Sequence, residues 1–290
     1  MSRPRAAIAT NLEAAHQRSS GGMTALAARM AAHWPEYLAE AFGLGLFMVS
    51  ACGFGVLLFH PRSPVVAMVP GFMLRSLLMG TAMGLTNVVN IYSPWGRRSG
   101  SHLNPAVTLT FFRLGKVHAG DLPGYIAAQF LGGLGGTGLA VVLFRPWIGD
   151  PSVNYVATLP GHWGLVVAFV AELLISGCLM LVVLNVASRP ALARFTGCFA
   201  GLMVALYITF EAPLSGMSMN PARTVGSAVF AGVWTGWWLY FLAPPLGMLI
   251  AAELVRNTGR VRYQLCAKLC HDERVRCIFC GSPGTGGVGR

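Results

Sequence analysis

The stretch Met219-Asn220-Pro221-Ala222-Arg223 decides how this chain is read. It follows Glu211-Ala212-Pro213-Leu214-Ser215-Gly216 and leads into Thr224-Val225-Gly226-Ser227-Ala228-Val229-Phe230. Locally it is a helix start. Asn is a strong N-cap, and Pro suits the first turn because it has no N–H to leave unpaired. A helix of about ten residues crosses half a bilayer. Arg223, three positions after the Asn, lies on roughly the same helix face. The device also occurs earlier, as Ser101-His102-Leu103-Asn104-Pro105-Ala106-Val107-Thr108-Leu109. Two Asn-Pro-Ala starts, each opening a short apolar segment, are hard to obtain by chance.

The surrounding chain is that of a membrane protein. Of 290 residues 54% are hydrophobic and only 11% charged, which excludes an ordinary soluble domain. Apolar blocks predict spans at Tyr37–Phe59, Phe72–Tyr92, Leu122–Phe144, His162–Val186, Leu192–Phe210 and Trp237–Leu254, with half-helices at Pro105–Leu114 and Pro221–Phe230. Trp234, Trp237, Trp238 and Tyr240 fit an interfacial aromatic belt. The net charge of +11 does not point to nucleic acid, because the basic residues sit between the apolar blocks and at the ends. All but Arg62, Arg75, Arg145 and Arg223 of the 21 Lys and Arg fall on one side of six spans. The positive-inside rule then puts both tails in the cytoplasm, with the chain in the plasma membrane. The expected organisation is a basic tail at 1–33, mobile or with a short amphipathic helix, a channel domain at 34–256 and a Cys-rich tail at 257–290. Residues 1–33 lack a continuous apolar core, so no cleaved leader is expected.

An internal repeat is visible. Each half has a span with a Glu near its start (Glu40 and Glu172), a second span, an Asn-Pro-Ala half-helix and a third span. An odd number of spans per half inverts the halves relative to each other, and inverted repeats place their site at the midplane between broken helices. Two helix N-termini converging there, each carrying about half a charge, repel cations and protons but not neutral solutes. Each Asn caps its own helix through its side-chain oxygen, which leaves its NH₂ to donate into the path. The predicted fold is an all-α membrane protein of six transmembrane helices and two re-entrant half-helices in inverted three-helix repeats.

On Ser99-Gly100-Ser101-His102-Leu103-Asn104-Pro105-Ala106-Val107-Thr108 and Ser215-Gly216-Met217-Ser218-Met219-Asn220-Pro221-Ala222-Arg223, the sequence resembles the aquaporins, or major intrinsic proteins, from about Glu36 to Val255. The resemblance implies a passive channel for water and small neutral solutes, homotetrameric in the lipid bilayer, with one pore per protomer. It assigns the pore to Asn104, Pro105, Ala106, Asn220, Pro221 and Ala222, and a selectivity constriction to Arg223, Met217, Ile208 and Met79. It casts Glu40 and Glu172 as structural carboxylates that accept backbone N–H groups of the re-entrant loops, with a proton relay as the alternative. His102, two before Asn104, reads as a loop-packing or backbone-bonding group, with a pH-gating role as the alternative. The chain departs from strict water channels, which keep an aromatic and a His at the constriction. A greasier constriction implies an alternative, a facilitator of glycerol or of the metalloid hydroxides (arsenite, silicic or boric acid). Thr224, where glycerol channels usually carry Asp, points back to water; Tyr240-Phe241-Leu242-Ala243-Pro244-Pro245 looks more like the glycerol branch.

The C-terminal tail stands outside that resemblance. Cys266, Cys270, His271, Cys277 and Cys280 group thiols and an imidazole in a way that suits Zn²⁺ in a reducing cytosol; free or palmitoylated thiols are the alternative. No other cofactor is expected. Cys52, Cys178 and Cys198 lie in apolar blocks and read as packing residues. No nucleophile–base pair suggests an enzyme. A coupled transporter would need more ionisable residues inside the spans than Glu40, Glu172 and Arg223. A membrane scaffold or sensor built around the tail would leave the two intact motifs without a use.

Overall fold

The fold is taken from a computed structural model that describes residues 4–258 and 266–285, with side chains from residue 26 onward. The described regular structure is α-helical, with two single-turn 3₁₀ segments, Trp147–Gly149 and Asn154–Val156. In order, the helices are α1 (Pro4–Phe59), α2 (Pro64–Met68), α3 (Phe72–Tyr92), α4 (Pro94–Ser99), α5 (Pro105–Arg113), α6 (Leu122–Phe144), α7 (Gly164–Ala187), α8 (Pro190–Ala193), α9 (Thr196–Phe210), α10 (Ala212–Ser215), α11 (Pro221–Ala231) and α12 (Trp237–Asn257). Five contain segments long and apolar enough to cross a membrane: Leu26–Phe59 of α1, and α3, α6, α7 and α12. The sixth span, α9, is shorter but equally apolar.

Several boundaries differ from the sequence reading. The first helix does not begin near Tyr37; α1 runs unbroken from Pro4 through Pro35. A Pro inside a helix forfeits one backbone hydrogen bond. Here Arg29, His33 and Tyr37, spaced one turn apart on one face, all bond the carboxylate of Asp121 at the start of α6. That cluster ties the helix down on both sides of Pro35. The fifth span starts at Thr196 rather than Leu192, because Pro190 opens the separate turn α8. The fourth starts at Gly164, a left-handed residue (φ 88°), and α12 runs on to Asn257.

Pairing of the helices shows the inverted repeat. The most extensive contacts are α1 with α6, α7 with α12, and α3 with α9. The first two are equivalent pairs of the two halves; the third joins the halves. Each half-helix packs on the last span of the opposite half, α11 on α6 and α5 on α12. Small residues permit these approaches, as in other lipid-embedded bundles. A methyl built on Gly132 would lie 2.3 Å from the Ala41 carbonyl oxygen, and one on Gly133 2.6 Å from that of Ala222. So α6 touches α1 on one face and the second half-helix on the other, and no side chain fits at either contact.

Candidate functional site

Each half-helix is entered through the same irregular loop. A short helix (α4 or α10) ends at a left-handed glycine, Gly100 (φ 99°) or Gly216 (φ 81°). Two further left-handed residues follow, Ser101 and Leu103 in one half, Met217 and Met219 in the other. Non-glycine residues adopt this conformation at a cost of about 1–2 kcal/mol each, so something must hold them there. The buried carboxylates do. Glu40 accepts from Ser99 Oγ (2.7 Å) and His102 N (3.0 Å) on one oxygen, and from Leu103 N (2.6 Å) and Gln129 Nε2 (2.9 Å) on the other. Glu172 accepts from Ser215 Oγ (3.0 Å) and Ser218 N (2.6 Å), and from Met219 N (2.7 Å). Two tyrosines complete the frame: Tyr125 donates to the Ser99 carbonyl and Tyr240 to that of Ser215, each at 2.5 Å.

The half-helices meet tip to tip. Asn104 Oδ1 accepts from Ala106 N (2.8 Å), and Asn220 Oδ1 from Ala222 N (3.0 Å) and Arg223 N (3.3 Å), as N-caps. Asn104 Nδ2 donates to the Met219 carbonyl and Asn220 Nδ2 to the Leu103 carbonyl, both at 2.7 Å. The sequence reading left each NH₂ wholly free for the path. Instead one of its two hydrogens is used to lock the opposing loop, and one remains. Pro105, Ala106, Pro221 and Ala222 are buried behind the tips, in the first turns of α5 and α11.

A cavity of about 300 Å³ runs past this junction. Its wall includes Asn104 and Asn220, and also Met79, Ile208, Met217 and Arg223, so the four residues assigned to a constriction do share one space. Arg223 is partly exposed to it, and its Nη1 has no protein acceptor. Met83, one turn from Met79, and Phe47 also line the wall; counting from the motif missed them, although the four-residue spacing from Met79 marks Met83.

The C-terminal segment packs against the cavity wall. Leu269 lines the cavity and, with Ala267, joins a buried cluster that includes Val107, Phe111, Val183 and Ala200. Leu269 N donates to the Gly100 carbonyl (3.1 Å), and a ring nitrogen of His102 lies 2.9 Å from the Ala267 carbonyl. Phe279 stacks on His102 with ring centroids 5.5 Å apart. Thus His102 packs the loop, as expected, but against a partner segment that spacing alone did not show. Of the five tail residues grouped from sequence, Cys266, His271, Cys277 and Cys280 bring their ligand atoms within 4.8 Å of one another. Cys270 does not join them. It sits beside Leu269 and packs on the apolar cluster at the cavity's end.

The chain has relatives among known proteins. The sequence model of the family described as Major intrinsic protein matches residues 27–255. The chain belongs to this family. Among its relatives, a Glycerol uptake facilitator protein-like 6 of Lactiplantibacillus plantarum is 35% identical over 232 residues, covering 77% of this chain and 98% of the relative. Aquaporin NIP1-3 of Oryza sativa subsp. japonica is 33% identical over 221 residues, covering 75% and 73%. Aquaporin Z of Rhodopseudomonas palustris is 31% identical over 229 residues, covering 76% and 92%. An X-ray structure of the aquaglyceroporin from Plasmodium falciparum superposes with a TM-score of 0.67 at 21% identity, over 81% of this chain and 100% of the other, which speaks for the fold. As a major intrinsic protein the chain is a multi-pass membrane channel for water and small solutes, in a family of channels rather than enzymes.

Proposed function

We propose that the cavity is a passive pore for water and small neutral solutes that excludes protons and ions, with Asn104 and Asn220 as its midplane donors. The observation that carries this reading is the reciprocal Asn-to-carbonyl exchange at the junction, 2.7 Å on each side. It fixes two positive helix ends against one narrow path and leaves one amide hydrogen on each Asn for a passing oxygen. A water held by both is turned so that its neighbours cannot relay a proton. Arg223 adds a fixed charge and unpaired N–H donors at the constriction, repelling cations and holding solute oxygens.

A second reading concerns which solutes pass. Apart from Arg223, the assigned constriction residues Met79, Ile208 and Met217 are apolar, and so is Met83, which lines the same cavity. Such a wall favours solutes with a carbon face or a weakly hydrated rim over water alone, and so glycerol or the metalloid hydroxides. As the family resemblance implies, the protein assembles as a homotetramer in the plasma membrane, and the distribution of its basic residues puts both tails in the cytoplasm.

The test is stopped-flow light scattering on proteoliposomes carrying the full chain with Leu269→Gly, which removes the side chain at the cavity's closed end. Osmotic shrinkage should exceed that of protein-free vesicles, with measurable glycerol uptake and no proton flux reported by a trapped pH dye. Proton conduction, or shrinkage equal to protein-free vesicles, overturns the reading.

A further inference from the structure

Residues 266–284 hold no regular secondary structure beyond turns and bends, yet they pack as a compact knot against the loop before α5. A segment this short rarely orders without a disulfide or a metal. Its centre is the Cys266–His271–Cys277–Cys280 group. The Sγ atoms of Cys266 and Cys277 are 3.2 Å apart, and His271 Nε2 is 3.4 Å from Cys280 Sγ. A tetrahedral Zn²⁺ with bonds of about 2.3 Å to sulfur and 2.0 Å to nitrogen spaces its ligand atoms about 3.5–3.8 Å apart. The group, whose ligand atoms lie within 4.8 Å of one another, brackets that spacing. The backbone is also arranged for thiolates. Lys268 N lies 3.4 Å from Cys266 Sγ, and backbone groups of Phe279 and Cys280 approach Cys277 Sγ. The ammonium of Lys268 is bonded to the Arg276 carbonyl (2.8 Å) and interacts electrostatically with all three thiols, so it offsets the negative charge three thiolates leave around a divalent ion. The Cys277–Cys280 turn closes through Gly281 N to the Cys277 carbonyl (3.0 Å), with Gly281 left-handed at φ 75°.

The knot also has a position. Leu269, between Cys266 and His271, projects into the end of the pore and is 8% exposed. Its backbone is tied to Gly100, its neighbour Ala267 to His102, and Phe279 stacks on His102. Arg97, on α4 just before that loop, forms an ion pair with Asp272 at 3.0 Å. Everything that orders the knot therefore also seats Leu269 in the path.

We propose that Cys266, His271, Cys277 and Cys280 bind one Zn²⁺, and that the zinc-bound tail is a plug that closes the pore at Leu269 until the metal leaves. This rests on the channel reading given above. His271 and Cys280 are exposed, so the ion is open to exchange with solvent, as a reversible closure requires.

The test uses the full chain, purified without a metal-binding tag. Zinc is measured per chain by mass spectrometry, and water flux by stopped flow in proteoliposomes. The expected content is one zinc per chain, lost in Cys277→Ser and Cys280→Ser but kept in Cys270→Ala and Leu269→Gly. Zinc-loaded wild type should shrink near the rate of protein-free vesicles and several-fold faster after a membrane-permeant zinc chelator. Cys280→Ser and Leu269→Gly should be fast whether or not zinc is present. The metal site is refuted if wild type holds no zinc, or if thiol counting shows a Cys266–Cys277 disulfide in its place. The plug is refuted if zinc-loaded wild type conducts as fast as Leu269→Gly. If no form conducts, Leu269→Gly and chelated protein included, the channel reading fails and the plug with it, while zinc content still decides the metal site on its own.

Discussion

Replacing Glu172 by Gln changes one oxygen to an amide nitrogen and removes a buried charge. Both carboxylate oxygens receive a backbone hydrogen, from Ser218 N at 2.6 Å and Met219 N at 2.7 Å. Whichever way the Gln amide turns, its NH₂ therefore faces a backbone N–H, and one buried donor is orphaned. An orphaned buried donor costs about 1–3 kcal/mol, and each surviving bond falls from charge-assisted to neutral, losing roughly 1 kcal/mol more. The sum is about 2–5 kcal/mol, borne by a loop already holding Met217 and Met219 in left-handed conformations. Glu172→Ala orphans both donors and should cost more. The measurement is thermal unfolding of the detergent-solubilised chain, followed by thiol-reactive fluorescence at Cys52, which is buried in the channel body. To isolate that signal, the other six cysteines are replaced in every form compared. The expected order of midpoints is wild type, then Glu172→Gln, then Glu172→Ala. Water flux should fall with them, because a released loop no longer presents the Met219 carbonyl to Asn104. If Glu172→Gln melts with wild type and conducts equally, the carboxylate is not what holds the loop, and the same argument fails for Glu40.

Other changes, made in the Leu269→Gly background so that the pore is open, probe separate joints. Arg223→Val should raise glycerol uptake relative to water flux and admit monovalent cations, read as conductance in planar bilayers; unchanged selectivity would remove Arg223 from the constriction. Ile208→His places a polar ring beside Arg223 and should lower glycerol uptake several-fold while sparing water. Gly133→Ala sets a methyl 2.6 Å from the Ala222 carbonyl, an overpacking of about 1–3 kcal/mol that displaces α11, so both stability and flux should drop. Asp121, fully buried at the start of α6, is driven upward by burial but held below the usual carboxylate range overall by Arg29, His33 and Tyr37. A depressed folded-state pKa contributes stability above the unfolded value, about 4, that is lost as pH falls through the lower folded value. Thermal midpoints should therefore drop more on acidification below about pH 4 in wild type than in Asp121→Asn, which should already be less stable at neutral pH.

The spans, the two half-helix starts, the inversion of the repeat and the pairing of Glu40 with Glu172 were legible in the residues themselves. Each is a local or periodic property: an apolar run long enough to cross lipid, an Asn-Pro cap, a count of crossings. That Met217 and Ile208 line one cavity with Arg223 followed because they sit at set distances along the chain from one motif. Three things were settled only by tertiary structure. The continuity of α1 through Pro35 depends on Asp121, which is distant in sequence, and propensity at a proline says the opposite. Reciprocal locking of Asn104 and Asn220 needs each side chain to find the other loop's carbonyl, a relation with no sequence spacing. Docking of the tail, which separates Cys270 from the other four and sets Leu269 against the cavity, depends on which face of an irregular segment turns inward. Irregular backbone carries no helical or strand period from which that face could be read.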